Sequence, residues 1–243
     1  MNINILNFKN ILQKATLNFS IKSIQLKMID DKIKSSMISD SRDVIVIIDT
    51  ENTVITANDI EFNFSEPSVN LIPFLNLVDE DEANIDIKNE KITIKSGSQK
   101  SDVHFCSPTI VSIFGSREPK EGIEYFTKID IDEVFVDNFK KLKKIGSRFG
   151  KIYFTVDNKK LIIETTDKTN RFSNNLKFNI IDIDYGDLTM CFDFQNLSDL
   201  MMVIGSRVDE FIMEFAYIEE QEKGMLYAYT RDNSENYYLM SKD

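Results

Sequence analysis

The apolar patterns of this chain occur in the same order twice, and that repetition constrains the fold more than any single motif. Over residues 7–16, Phe8, Ile11, Leu12 and Ala15 recur at helical spacing, with Lys9, Gln13 and Lys14 placed elsewhere. Strand patterns follow over 23–28 and 34–39, separated by the polar turn Ile29-Asp30-Asp31-Lys32, then over the β-branched run 44–48 and the alternating run 60–64. A short helix is predicted over 70–78, with Pro73 tolerated in its first turn because an N–H there has no partner to lose. Strands over 84–87, 91–95 and 102–106 complete the first half.

Residues 107–122 interrupt this order. Pro108, Gly115, Pro119 and Gly122 punctuate a stretch that still carries Ile110, Val111, Ile113 and Phe114, which predicts an extended, partly packed crossing. A strand over 125–129 and a helix beginning at the N-cap candidate Asp132 come next. The hairpin 151–156/161–166, strands over 176–183 and 189–195, a helix over 197–204, and strands over 210–217, 225–230 and 237–240 follow. Asn7-Phe8-Lys9 is echoed by Asn138-Phe139-Lys140. Internal duplication of an α+β unit, with domains at 1–115 and 116–243, accounts for both the order and the echo.

The second helix-led stretch, 132–150, is apolar along Phe135, Phe139, Leu142, Gly146 and Phe149 and basic along Lys140, Lys141, Lys144 and Arg148. Composition matters at this point, because the 243-residue chain has a formal net charge of −11. A basic face against that background fits either a solvated helix surface or a site for a polyanion. Acidity on this scale excludes a protein that coats nucleic acid indiscriminately, so any such contact is local. No run approaches the roughly 18 apolar residues of a membrane span, and the N-terminus lacks the pattern of a signal peptide. With Cys106 and Cys191 the only cysteines, a cytoplasmic protein without a disulfide framework or membrane partner is predicted.

Catalytic chemistry finds little support. His104 is the single histidine and has no nucleophile beside it; a structural role is the simpler reading. The acidic sets Asp79-Glu80-Asp81-Glu82 and Asp182, Asp184, Asp187 lack calcium-loop spacing. The eight glycines are dispersed rather than gathered in a phosphate loop. Within Gly146-Ser147-Arg148-Phe149-Gly150, glycine reads most simply as a helix C-cap. No enzyme, metal or cofactor is predicted.

Several stretches carry a resemblance. Residues 7–48, with a helix running into IKSIQLKMIDDKIKSSMISDSRDVIVI; 70–94, with PFLNLVDEDEANIDI leading to a hairpin; the connector FCSPTIVSIF; IDIDEVFVDNFKKLKKIGSRFGKIYFTVDNKKLIIE; and the closing ENYYLMSKD together resemble a DNA sliding clamp. More narrowly, they resemble the processivity clamp of T-even-type bacteriophages, by order and spacing of elements over nearly the whole chain and by scattered identities. The resemblance implies an α+β fold of two tandem clamp-type domains, inner helices backed by antiparallel sheets, and a ring. It implies a homotrimer that encircles duplex DNA without reading sequence, tethers a replicative DNA polymerase, and is placed by a clamp loader ATPase, in an infected bacterial cell.

On that reading Lys9, Lys14, Lys140, Lys141, Lys144 and Arg148 face DNA. Ile110, Val111, Ile113 and Phe114 with Tyr238, Leu239 and Met240 are candidates for a pocket that takes partner tail peptides; ordinary core packing explains them as well. Neither the helix over 70–78 nor that over 197–204 carries a basic residue before Arg207, so the charge around a hole would be uneven. Two other classes fit the same residues: a monomeric two-domain polymerase accessory protein that binds DNA by its basic face without encircling it, and an acidic protein-interaction module with no DNA role.

Overall fold

The structure, a computed structural model, describes residues 1–56, 59–78, 81–88, 90–115, 123–168 and 175–242. Its contacts divide the chain into two units, Met1–Ser116 with Asn233–Glu235, and Arg117–Asp232 with Asn236–Asp243. The first unit runs β1 (Asn2–Asn4), α1 (Ile5–Ala15), β2 (Ser23–Ile29), β3 (Lys32–Ile38), β4 (Val44–Glu51), β5 (Ile60–Ser65), the helical turns α2 (Pro67–Asn70) and α3 (Ile72–Leu75), β6 (Glu82–Lys88), β7 (Lys91–Ser96) and β8 (Gln99–His104). The second runs β9 (Tyr125–Asp130), α4 (Glu133–Gly146), β10 (Lys151–Asp157), β11 (Lys160–Thr165), β12 (Leu176–Asp182), β13 (Leu188–Asp193), α5 (Phe194–Ile204), β14 (Phe211–Ile218), β15 (Lys223–Thr230) and β16 (Glu235–Met240).

The two orders match element for element, and so does the pairing. Strands run β5-β2-β3-β4 and β1-β6-β7-β8 in the first unit, against β13-β10-β11-β12 and β9-β14-β15-β16 in the second. All the pairings are antiparallel. Equivalent hairpins even share a turn: Asp30 and Asp31 have φ of 54° and 58°, Asn158 and Lys159 of 50° and 62°. Two successive left-handed residues are what a two-residue turn matched to strand twist requires.

Each helix forms for a local reason. Asn4 caps α1 by accepting from the Asn7 N–H at 2.8 Å, and Asp132 caps α4 by accepting from Phe135 N–H at 2.7 Å. The buried stripe of α1 is Ile5, Phe8, Ile11, Leu12 and Ala15; that of α4 is Phe135, Phe139, Leu142 and Gly146. In the first core Phe8 meets Phe62 and Phe64 at 6.1 Å, and Phe105 closes over both. In the second Phe139 stacks on Phe194 at 5.8 Å, and Phe154 packs on Phe192 and Phe215.

Three expectations need correction. The helix predicted over 70–78 is two single turns that meet at Leu71, because Pro73 has no N–H to carry a continuous ladder and both turns begin around proline. The stripe of α4 stops at Gly146; Phe149 and Arg148 lie past its end, in a turn closed by Gly150 at φ 66°. The strand predicted over 102–106 is Gln99–His104. Of the interrupted stretch, residues 107–115 are described and 116–122 lie outside the described residues. The described part packs along β3: Ile38 N–H donates to Ser112 O at 3.1 Å and Phe114 N–H to Ser36 O at 3.0 Å.

Candidate nucleic-acid interface

Helix α4 presents its charges in sequence along its length. Glu133 and Asp137 come first, then Lys140, Lys141, Lys143 and Lys144, with Arg148 and Lys151 just beyond the end; all eight are exposed. The order suits the helix dipole, which favours carboxylates near the N-terminus and cations near the C-terminus. It also concentrates positive charge over the last two turns. Lys140 Nζ lies 3.1 Å from Asp137 Oδ1, with both side chains about two-thirds exposed at 66% and 65%. Lys141 Nζ is 3.4 Å from Asn138 Oδ1 and 5.8 Å from the Phe178 ring centre. Lys143 and Lys151 did not enter the sequence-based set. Lys143 stands nearer the apolar stripe, and Lys151 opens a strand; only simple proximity to the cluster could have marked them.

The first unit offers less. Lys9, at the position of Lys140 in the echoed motif, is half-buried. Lys14 donates to Glu235 Oε1 at 2.6 Å, and that carboxylate is only 4% exposed. An ammonium held by a buried carboxylate is poorly available to an outside anion. The turns α2 and α3 and the helix α5 carry no basic residue. Arg207, just past α5, reaches Val203 O at 3.2 Å and Glu210 Oε2 at 3.5 Å. Among the helices of the described residues, the cluster of exposed cations is therefore a property of α4 and its C-terminal turn.

The residues predicted for a peptide pocket divide into two environments. Ile110 and Ile113 in the connector are 61% and 47% exposed, Phe114 is half-buried and Val111 is buried. Tyr238 and Leu239 are each 1% exposed within the second unit, with Met240 half-buried beside them. Tyr238 belongs to a ladder that sequence reasoning did not assemble. Its ring stacks on Tyr227 at 4.5 Å, Tyr227 stacks on Tyr229 at 4.5 Å, and Tyr125 lies 5.8 Å from Tyr227. The Tyr227 hydroxyl donates to Asn236 Oδ1 at 2.6 Å and the Tyr229 hydroxyl to Glu214 Oε1 at 3.0 Å. The Tyr125 hydroxyl is buried and has no hydrogen-bond partner among the described residues. The i, i+2 spacing of Tyr227 and Tyr229 was the available signal; the cross-strand partners were not.

Against solved structures the whole chain superposes on proteins of one architecture. Proliferating cellular nuclear antigen from Entamoeba histolytica aligns at a TM-score of 0.66 and 14% identity, covering 99% of this chain and 96% of that one. PCNA from A. fulgidus, solved with the C-terminal region of FEN-1, aligns at 0.64 and 11%, again over 99% and 96%. The β subunit of DNA polymerase III from Pseudomonas aeruginosa aligns at 0.66 and 12%, over 100% of this chain and 66% of its own length. The chain has the sliding-clamp fold. No protein-family model and no curated protein sequence matches it.

Within the clamp fold the remaining reactive groups are scattered. His104 is exposed on β8. Asp184 pairs with Lys159 at 2.7 Å, and Glu82 accepts from Asn2 Nδ2 at 3.4 Å, while Asp79 and Glu80 lie outside the described residues. Among the described residues no group of three or more His, Cys, Asp or Glu side chains could hold a metal ion. Cys106 and Cys191 are free, half-buried thiols, and burial pushes the Cys106 thiol up from its ordinary value.

Proposed function

We propose that the protein is a non-enzymatic DNA sliding clamp of the T-even bacteriophage kind: a homotrimeric ring that encircles duplex DNA, receives a replicative polymerase, and is opened by a clamp loader ATPase. The observation that carries the reading is the concentration of exposed cations on α4, in an acidic chain whose fold is that of the sliding clamps. Duplex DNA carries a negative charge about every 1.7 Å of its axis, so a cationic helix that makes no base contacts attracts it without fixing register. Retention then comes from topology, and the acidic remainder of the surface turns DNA away from other faces.

The ring has a physical basis in the open edges of the sheets. Strand β8 ends one sheet of the first unit and β12 one sheet of the second. Edge strands offer unpaired N–H and C=O groups. Head-to-tail joining of different surfaces on identical chains closes into a ring when the rotation allows. Beside β12, a cavity of about 290 Å³ lined by Val134, Phe135, Phe178, Ile180 and Ile181 gives that edge an apolar border. The exposed connector residues Ile110 and Ile113 are the proposed contacts for partner tail peptides; the A. fulgidus PCNA structure contains a C-terminal region of FEN-1.

Native mass spectrometry tests the assembly. A species at three times the 28.1 kDa chain mass is the expected result. A monomer that persists at high protein concentration would remove the ring and leave the non-encircling accessory protein as the better account.

A further inference from the structure

Asp137 stands where a DNA-binding helix would least be expected to carry a carboxylate. At about 100° per residue it projects from the same outward side of α4 as Lys140 and Lys144, one turn beyond Glu133. Its carboxylate lies 3.1 Å from Lys140 Nζ, in solvent on both sides. Nothing in the packing requires it: the stripe that holds α4 to the unit is Phe135, Phe139, Leu142 and Gly146. In the echoed motif of α1, the residue three before Lys9 is Leu6, so the carboxylate belongs only to the repeat where the cations are concentrated.

We propose that Asp137 is a positioning residue that restrains DNA: it withholds Lys140 from phosphate and confines the polyanion to the end of α4 around Lys144 and the turn that follows it. The inference rests on the DNA reading given above. An exposed ion pair is weak, so phosphate competes for Lys140, but must do so against a neighbouring negative charge. The contact stays loose at the N-terminal half of the helix and firm around Lys144 and Arg148. A loosely held duplex is what sliding requires.

The experiment measures binding of the full-length protein to a fluorescent linear duplex of random sequence across a range of salt. Asp137→Asn is expected to tighten binding at low salt by roughly two- to five-fold, and to steepen the dependence of log K on log salt by about 0.9 for each chain engaged. Glu133→Gln makes the same change in net charge without touching the Lys140 pair and is expected to do less. Lys144→Glu should weaken binding. If Lys144→Glu weakens binding while Asp137→Asn leaves affinity and slope at the wild-type values, the restraint is wrong and the DNA reading survives. Equal effects of Asp137→Asn and Glu133→Gln would reduce the cause to net charge and overturn the role of the pair. If none of the three variants alters binding, the DNA reading falls and this inference falls with it.

Discussion

A methyl group added at Gly146 would come within 2.5 Å of Phe194 Cε2 and 2.7 Å of Thr165 Oγ1. Neither neighbour has anywhere to go: Phe194 is buried against Phe139 and Thr165 is fully buried. Glycine here serves close approach of α4 to α5, and the left-handed position at the helix end belongs to Gly150. The corresponding residue of α1 in the echoed motif is Ala15, which is fully buried. Gly146→Ala should therefore destabilise the second unit by about 1–3 kcal/mol through overpacking, more than the gain of up to about 1 kcal/mol in helix propensity can offset. Denaturant unfolding followed by helix-sensitive circular dichroism measures it, and a stabilised variant would contradict the packing account. The sequence showed Gly146 on the apolar stripe but not what it faces, since Phe194 and Thr165 are brought to it by tertiary contact. Lys14 is the same lesson in the charged residues. Its place on α1 was legible, whereas its capture by Glu235 depends on a contact across 221 positions of sequence.

Elements were legible where pattern and punctuation coincide. The periodic stripe and Asp132 cap defined the start of α4, and the hairpins β2–β3 and β10–β11 were marked by polar pairs between apolar runs. Strand β1 escaped because three residues hold no periodicity; its pairing with β6, Asn2 to Asn84 and Asn4 to Glu82, is what makes it a strand. Strand β8 was displaced because Gln99, Lys100 and Ser101 give no apolar alternation, so the ladder with β7 extends where the pattern is silent. The tyrosine ladder across β9, β15 and β16 carries a prediction of its own. Burial, with the hydrogen bond to Glu214 and its charge, pushes Tyr229 from 10.0 up to about 12. Burial also drives Tyr125 and Tyr227 upward. A phenol whose pKa is raised on folding contributes stability below its unfolded pKa and loses it as pH rises through the folded value. Stability should thus be unaffected by these groups below about pH 10 and decline between about 10 and 12. Parallel titrations of tyrosinate absorbance and of circular dichroism check this. Phenolate formation at ordinary pKa values without loss of structure would show that the ladder is open to solvent.

At the scale of the molecule, two copies of one topology carry different surfaces. The second repeat carries the cationic helix α4, in the first Lys14 of α1 is bound to Glu235, and the whole chain remains at −11. For the clamp proposed above, such a distribution makes affinity a poor source of retention: a single helix with a few cations, screened within about 10 Å at ordinary salt, cannot hold DNA for long. Encirclement can, because leaving then requires an end or an open ring. The two mechanisms separate cleanly in one measurement. Protein loaded on a nicked circular duplex should stay bound through a salt wash that removes unloaded protein, and should leave when the circle is cut once. Release after cutting should depend little on salt, since the escape is along the axis rather than through broken ion pairs. Lys140→Glu, Lys144→Glu and Arg148→Glu together should lower the yield of loading yet leave retention on the closed circle largely intact, because topology does not depend on charge. Equal salt-sensitive retention on cut and uncut circles would instead place the DNA on an outer face, and the uneven charge of the two repeats would then describe a one-sided binding surface.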